Sequence, residues 1–274
     1  MKRRTTLLPL LAFAFFTLSA CSISFESANS GSTRTSGGVY KTVNSGEVWR
    51  QMASIATTGS TALTFNTENT IALTIDPQDV KAIYVGTENS GMLFSFDAGA
   101  SWSVARSLGK RKVQSIAVSP SDKCTIFTAS ENKIFRSDDC SRSWQEIYFD
   151  DNQAIIISSL AFDPANENTI YAGNSRGEVI ASVNGGKSWS ALQRFSDSKN
   201  NEDNVVIKVL VSEKNPNNIW AATRGSGIYK SEDKGQTWRG FIEEFAEIHT
   251  KSANKINDLS LSQADGKTVI AATD

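Results

Sequence analysis

Histidine and cysteine are scarce in this sequence. Only His249 and three cysteines occur in 274 residues, and they lack the spacing of metal ligands. We therefore expect neither a metal site nor another cofactor. A basic excess is also missing, with 28 Lys and Arg against 29 Asp and Glu. Because phosphate binding draws on such an excess, we expect no nucleic-acid partner.

Long apolar runs are missing except at the start. Residues 1–20, MKRRTTLLPLLAFAFFTLSA, combine a basic start with an apolar stretch too short to span a membrane, which predicts an export signal peptide. The ending Leu18-Ser19-Ala20-Cys21 resembles the lipobox of bacterial lipoproteins, the alternative being an ordinary secretory signal. The resemblance implies that Cys21 is acylated and holds the protein on a membrane of the bacterial cell envelope, facing away from the cytoplasm.

Residues 21–37 comprise this cysteine and a stretch rich in Ser, Thr and Gly, which predicts a flexible tether. The remainder, residues 38–274, carries a repeat. Five segments end in tryptophan at intervals of about 45 residues, as in four-stranded propeller blades: TVNSGEVW (Trp49), SFDAGASW (Trp102), SDDCSRSW (Trp144), SVNGGKSW (Trp189) and SEDKGQTW (Trp238).

Proline is also rare, and after the leader it occurs at one equivalent position in successive repeats. The four prolines after the leader each follow a β-type apolar run, where proline ends a strand because it cannot donate to the ladder. They are Pro77, Pro120, Pro164 and Pro216. A unit of four strands, with a proline turn after the first and a tryptophan at the start of the fourth, predicts an all-β propeller. A two-domain sandwich does not explain the common period.

The two ends of the repeat region are complementary. Residues 38–52 read as the third and fourth strands of a blade, and residues 255–274 as the first and second. We expect them to form one composite blade that closes a five-bladed ring and leaves no open edge. The alternative is a chain cut short within a longer propeller.

The pattern S/T-x-D-x-G-x-x-W resembles the Asp box, or BNR repeat, of sialidases, sortilin-type receptors, xyloglucanase-type glycoside hydrolases and photosystem II assembly factors. The resemblance implies that each box is the turn between a third and a fourth strand. An Asp in such a turn accepts backbone hydrogen bonds, glycine supplies a left-handed conformation and tryptophan packs between sheets. These structural positions are Asn44, Gly46, Trp49, Asp97, Gly99, Trp102, Asp139, Trp144, Asn184, Gly186, Trp189, Asp233, Gly235 and Trp238.

Variation among the boxes argues against chemistry there. Asn44 and Asn184 keep the acceptor but cannot act as a base or nucleophile. Ser141 replaces the box glycine, so we expect a strained or differently shaped turn. In the same repeat, Cys124 and Cys140 face each other across a predicted hairpin. A disulfide is therefore plausible in an exported protein, with two free thiols as the alternative.

No catalytic residue is assigned. The Arg-Ile-Pro motif of sialidases is absent from the sequence. A glycosidase needs two carboxylates about 5–9.5 Å apart, and the spacing of the candidates does not distinguish them from solvated acids. The candidates are Glu146, Asp150, Asp151, Glu243, Glu244 and Glu247.

Recognition is expected on the face that carries the variable links between blades. Basic residues on that face predict a ligand patch, with ordinary solvated charges as the alternative: Arg106, Lys110, Arg111, Arg176 and Arg224. An apolar stripe, Phe241, Ile242, Phe245 and Ile248, is expected to cover one end of the propeller. The sequence thus predicts a lipid-anchored, non-catalytic binding or assembly module for a protein or glycan. An envelope glycoside hydrolase of the Asp-box propeller type is the alternative.

Overall fold

The computed structural model describes residues 37–57, 63–195, 204–241 and 255–273. The leader, Cys21, the tether up to residue 36, His249 and most of the apolar stripe lie outside these residues. No helix within the described ranges is long and apolar enough to cross a membrane.

The regular secondary structure of the described residues is almost entirely β-strand, as the repeat predicts. It opens with two two-stranded antiparallel sheets. These are β1 (Tyr40–Lys41) with β2 (Arg50–Gln51), and β3 (Ser54–Ile55) with β4 (Leu63–Thr64).

Four complete blades follow, each a four-stranded antiparallel sheet in chain order. Blade 1 contains β5 (Thr70–Ile75), β6 (Ile83–Thr87), β7 (Met92–Ser95) and β8 (Ser103–Val104). Blade 2 contains β9 (Ser115–Val118), β10 (Ile126–Ser130), β11 (Lys133–Ser137) and β12 (Gln145–Phe149). Blade 3 contains β13 (Ile157–Asp163), β14 (Asn166–Asn174), β15 (Glu178–Ser182) and β16 (Ser190–Arg194). Blade 4 contains β17 (Val206–Val211), β18 (Ile219–Thr223), β19 (Gly227–Ser231) and β20 (Arg239–Gly240). A 3-10 helix, Arg106–Leu108, lies between blades 1 and 2.

One final hairpin, β21 (Ile256–Leu261) and β22 (Val269–Thr273), packs on blade 4. The backbone N–H of Glu213 in blade 4 donates to Gln263 Oε1 of this hairpin at 3.2 Å. At the other end, the β1–β2 hairpin is fixed to blade 1, where Lys41 Nζ donates to the Ala98 carbonyl at 2.9 Å. The fifth blade is therefore present as two halves. Within the described ranges, backbone hydrogen-bond ladders join β1 only to β2 and β21 only to β22.

Apolar side chains of neighbouring blades pack face to face. Alternate residues of an innermost strand point to opposite sides, so Ile116 packs towards blade 1 and Ala117 towards blade 3. The innermost strands β5, β9, β13, β17 and β21 together line a central channel of about 720 Å³. All five repeats thus surround one axis, which is the architecture of a propeller.

The box tryptophans connect successive blades. Trp102 is fully buried and packs edge-on against Phe65, with ring centroids 5.4 Å apart. Trp144, Trp189 and Trp238 are partly buried, each against the preceding blade. Trp49 is the exception, because 57% of it is exposed to solvent. The expectation that every box tryptophan is buried between sheets is therefore wrong for Trp49. The half of its blade that packs on blade 4 is the β21–β22 hairpin, whereas Trp49 belongs to the other half.

Candidate functional site

The five boxes share one hydrogen-bonded geometry. The hydroxyl of the first box residue accepts the N–H of the residue at the glycine position, at 2.7–3.0 Å. The same hydroxyl donates to Oδ1 of the central Asp or Asn at 2.7–2.9 Å. That Oδ1 also accepts the N–H of the residue before the tryptophan, at 2.8–2.9 Å. Each turn is closed by its own side chains.

The acidic boxes are held ionised. Hydrogen bonds lower the pKa of three carboxyl groups to about 2, with the hydroxyl of the residue before the tryptophan as the largest cause in each. The three groups are Asp97, Asp139 and Asp233. A carboxylate whose acceptor positions are filled by its own turn is unsuited to proton transfer near neutral pH. The hydrogen bonds of the three carboxylates are thus made within their own turns.

The blade 2 box keeps this hydrogen-bonded shape despite its serine. Ser141 adopts φ of +69°, a left-handed conformation that non-glycine residues adopt only with strain. Of the two outcomes expected from the sequence, the turn is strained and not differently shaped. Cys140 of this turn forms a disulfide with Cys124.

The five basic residues expected to form a ligand patch differ in their surroundings, and one of them, Arg176, has its charge neutralised. Arg111 stacks its guanidinium 4.3 Å from the centre of the Phe135 ring. Arg176 donates to Asp150 at 3.0 Å and to Glu178 at 3.2 Å, so two carboxylates neutralise it. The other three are exposed. Arg106 and Lys110 lie on the link between β8 and β9, and Arg224 lies on the loop between β18 and β19.

A groove of about 890 Å³ opens on the face of the links, at the end of blade 2 and along the links on either side of that blade. Its apolar part consists of Phe149 and Ile156, whose exposed fractions are 58% and 43%. Its polar part carries amides, carboxylates and two lysines, namely Gln114, Asn132, Gln153, Glu131, Glu146, Asp150, Asp151, Lys112 and Lys133. The three acids considered from the sequence in this region thus come together in one groove, whereas Glu243, Glu244 and Glu247 lie outside the described residues.

Two carboxylates of this groove are engaged with cations. Glu146 pairs with Lys133 at 2.7 Å, and Asp150 is nearly buried against Arg176. An inverting glycosidase leaves room for a water between its carboxylates. Here the Arg176 guanidinium bridges Asp150 and Glu178 directly. The described residues contain no group of three or more His, Cys, Asp or Glu positioned to hold a metal ion.

Phe149 was not identified from the sequence as part of the site. It ends β12, whose sequence QEIYF places three apolar residues in a row without alternation. The sequence therefore does not decide which side of the sheet Phe149 faces. Its position directly before the acidic pair Asp150-Asp151, at the start of a variable link, was the available signal.

Comparison with known proteins agrees with this architecture. Residues 90–197 match the family model described as Sortilin, neurotensin receptor 3. Over 146 residues the chain is 27% identical to a probable oligoxyloglucan-reducing end-specific xyloglucanase from Neosartorya fischeri, covering 46% of this chain and 18% of that protein. The chain therefore spans less than a fifth of the length of this relative.

Solved structures show the same fold. An ancestral GH74 enzyme superposes with a TM-score of 0.64 at 23% identity, covering 74% of this chain and 27% of that one. The Niastella koreensis GH74 enzyme gives a TM-score of 0.59 at 16% identity, covering 81% and 34% of the two chains. Together with the box geometry, these likenesses define the class: an all-β propeller built of BNR/Asp-box-type repeats. Within that class, the chain resembles the propellers of GH74 xyloglucanases and of the sortilin family.

Proposed function

We propose that this propeller recognises a glycan in the groove at the end of blade 2, and that it serves in glycoside hydrolysis of the xyloglucanase type. The observation that carries the proposal is the composition of the groove. An exposed aromatic ring, Phe149, stands beside amide and carboxylate side chains in an open groove.

This combination matches the chemistry of sugars. A pyranose ring presents C–H groups on its faces and hydroxyls around its rim. Phe149 offers the apolar surface for a ring face. Gln153 and Asp151 border the same groove and offer planar polar groups for the hydroxyls, which is how small polar ligands are oriented in otherwise apolar sites.

Hydrolysis needs a general acid and a second carboxylate. The relatives named xyloglucanases favour this activity, and the acids in the groove are Glu131, Glu146, Asp150 and Asp151. A non-catalytic binding module for a glycan or protein is the second candidate. Its support is that Glu146 and Asp150 are ion-paired with Lys133 and Arg176.

The test separates recognition from hydrolysis. Binding of xyloglucan and other β-glucan oligosaccharides is measured by calorimetry for the wild type, for Phe149→Ala and for a matched control, Phe96→Ala. Phe96 is also exposed but lies in a box turn, on the opposite face. We expect Phe149→Ala to weaken binding by about tenfold or more, which corresponds to about 1.4 kcal/mol, and Phe96→Ala to leave it unchanged. Equal effects of the two substitutions, or no binding of any glycan, would contradict the proposed site.

Release of reducing ends from the bound glycan is then measured for the wild type and for Asp150→Asn, Asp151→Asn and Glu146→Gln. Loss of turnover with retained binding supports hydrolysis in this groove. Binding without turnover by the wild type supports the non-catalytic module.

The location of the protein is part of the proposal. Acylation of Cys21 would attach the propeller to an envelope membrane by acyl chains, each contributing about 0.8 kcal/mol per buried CH₂. We expect the full chain to partition into the membrane fraction and Cys21→Ser to be released. Equal partitioning of the two would contradict the anchor.

A further inference from the structure

Two blades have a buried aspartate immediately before the proline that ends their first strand. They are Asp76 in blade 1 and Asp163 in blade 3, with exposed fractions of 1% and 0%. In each, Oδ1 accepts the backbone N–H of the residue two positions further on, Gln78 or Ala165, at 2.8 Å. The two carboxyl groups therefore occupy equivalent positions in their blades.

The second oxygen of Asp163 is paired with a cation from the next blade. Lys234 Nζ of the blade 4 box donates to Asp163 Oδ2 at 2.9 Å. This lysine is the residue before the box glycine, so the box of blade 4 supplies the positive charge that blade 3 needs. Such a partner matters because an unpaired charge is costly to remove from water.

The second oxygen of Asp76 has no equivalent partner. Asp76 Oδ2 is buried and has no hydrogen-bond partner among the described residues. The residue equivalent to Lys234 in the blade 2 box is Cys140, whose sulfur is bonded to Cys124. Both box positions are left-handed, with φ of +56° at Cys140 and +60° at Lys234. The two turns therefore present this residue alike, but only the lysine carries a positive charge.

The interface between blades 2 and 3 shows the uncharged version of the same arrangement. Ser119 takes the place of the aspartate, and its hydroxyl accepts the backbone N–H of Asp122 at 3.2 Å. The blade 3 box, which packs on blade 2, has Gly185 in place of the lysine. Among the three interfaces between complete blades, the one at Asp76 is thus the one whose buried charge is not balanced by the facing box.

Tyrosine side chains lie close to both carboxyl groups. Burial, followed by the negative charges of Asp76 and Asp79, raises the pKa of Tyr84 to about 12. Burial and the negative charge of Asp163 raise the pKa of Tyr171 to about 12 in the same way. Blades 1 and 3 therefore surround their aspartates similarly, and Asp79 adds a second negative charge near Asp76.

We propose that a monovalent metal cation, sodium or potassium, binds at Asp76 Oδ2, in the place that the Lys234 ammonium takes at Asp163. Hard cations prefer oxygen ligands. One buried carboxylate balances one positive charge, whereas a divalent ion would leave charge uncompensated inside the protein. The site lies where blade 1 meets blade 2, since Gln78 Nε2 of the same turn donates to the Ser119 carbonyl at 3.1 Å. Cation binding should therefore stabilise this interface.

The test compares unfolding of the full-length wild-type protein in sodium chloride, potassium chloride and choline chloride at equal ionic strength. Choline is too large for a buried site and serves as the reference cation. A cation that binds only the folded protein, present at about ten times its Kd, raises the folding equilibrium constant about tenfold. We expect a gain of this order in sodium or potassium chloride. Equal stability in all three salts would overturn the proposal.

Two matched pairs of variants locate the effect. Asp76→Asn should abolish the difference between salts, whereas Asp163→Asn, which removes the carboxylate already paired with Lys234, should retain it. Cys140→Lys with Cys124→Ser supplies an ammonium group and should also abolish the difference, whereas Cys140→Ser with Cys124→Ser should retain it. A salt difference that persists in Asp76→Asn, or that is lost in both members of a pair, contradicts the site.

A direct measurement of binding to the folded wild-type protein covers the case in which Asp76→Asn does not fold. The NMR line width of the more stabilising cation is measured with the wild type and with the variant that carries Cys140→Lys and Cys124→Ser. Bound cations broaden this line, so the wild type should broaden it several-fold more than the lysine variant. Equal broadening by the two proteins would overturn the proposal.

Discussion

Gly186 of blade 3 lies directly against Ile147 of blade 2, so that an added β-carbon would lie 2.5 Å from Ile147 Cδ1 and 3.1 Å from Phe127 Cε1. Its φ of +88° adds a second reason for glycine. We expect Gly186→Ala to combine backbone strain with overpacking of about 1–3 kcal/mol.

The control for this substitution is Gly109→Ala. Gly109 also has a positive φ, +78°, but its nearest neighbour to an added β-carbon is the Arg111 guanidinium at 3.7 Å. Chemical denaturation should therefore show a larger loss of unfolding free energy for Gly186→Ala. Equal losses would mean that the interface between blades 2 and 3 accommodates the added methyl group without strain.

Blade 2 presents the reverse case at Ser141. The residue of blade 1 that corresponds to Ile147 is Ala105, which is small and buried, and this gives a physical reason why a side chain is accommodated there. Ser141 nevertheless has a left-handed φ and a buried Oγ without a hydrogen-bond partner. We expect Ser141→Gly to raise the free energy of unfolding by about 1 kcal/mol, since both penalties disappear.

Differential scanning calorimetry of Ser141→Gly and Ser190→Gly tests this expectation. Ser190 is an exposed residue in β16, where glycine weakens the strand. The two substitutions should shift Tm in opposite directions. A lower Tm for Ser141→Gly would show that the serine stabilises the turn in another way.

Much of the fold was predictable because its information is local and repeated. The box, the proline turn and the alternating strands recur in one order, so each repeat supports the assignment of the others. The groove was harder to predict from the sequence, because the Arg176–Asp150 ion pair at its edge joins residues from different blades. This ion pair forms only if blades 2 and 3 lie close together, and the number of residues between Asp150 and Arg176 does not determine that distance. The exposure of Trp49 likewise depends on tertiary contacts, since its box has the same local hydrogen bonds as the others.

Removal of one box hydroxyl should destabilise the whole blade. Ser231 is buried, accepts the Gly235 N–H at 2.7 Å and donates to Asp233. Ser231→Ala leaves that N–H without its partner, so we expect a loss of about 1–3 kcal/mol. Ser190→Ala, at an exposed position, should change stability by less than about 0.5 kcal/mol. Thermal melts of both variants check the difference, and similar melts would refute the role of the hydroxyl.

Low pH should destabilise the three box turns that contain Asp and should not affect the two that contain Asn. The folded-state pKa of Asp139 is lowered to about 2, chiefly by the Ser143 hydroxyl. A carboxyl group with a depressed folded pKa contributes stability above its unfolded pKa, and this contribution is lost as pH falls through the folded value. Stability should therefore decline between about pH 4 and pH 2. Asp139→Asn, which imitates the box of Asn184, should make that decline shallower. If the free energy of unfolding fell as steeply with pH in Asp139→Asn as in the wild type, the lowered pKa of Asp139 would be contradicted.

The disulfide of blade 2 should add stability where the box turn is strained. Cys124 and Cys140 join the turn before β10 to the box after β11, and Cys140 N–H also donates to the Cys124 carbonyl at 3.2 Å. A closed loop of this size restricts the unfolded chain by about 3 kcal/mol on the entropic description. Reduction should lower the melting temperature of the wild type and leave the double variant Cys124→Ser/Cys140→Ser unaffected. Because the strained Ser141 follows Cys140 directly, Ser141→Gly should partly restore the melting temperature of the reduced protein. If reduction shifted neither melt, the link would have to be absent from the folded protein, and the strained turn would be held by its hydrogen bonds alone.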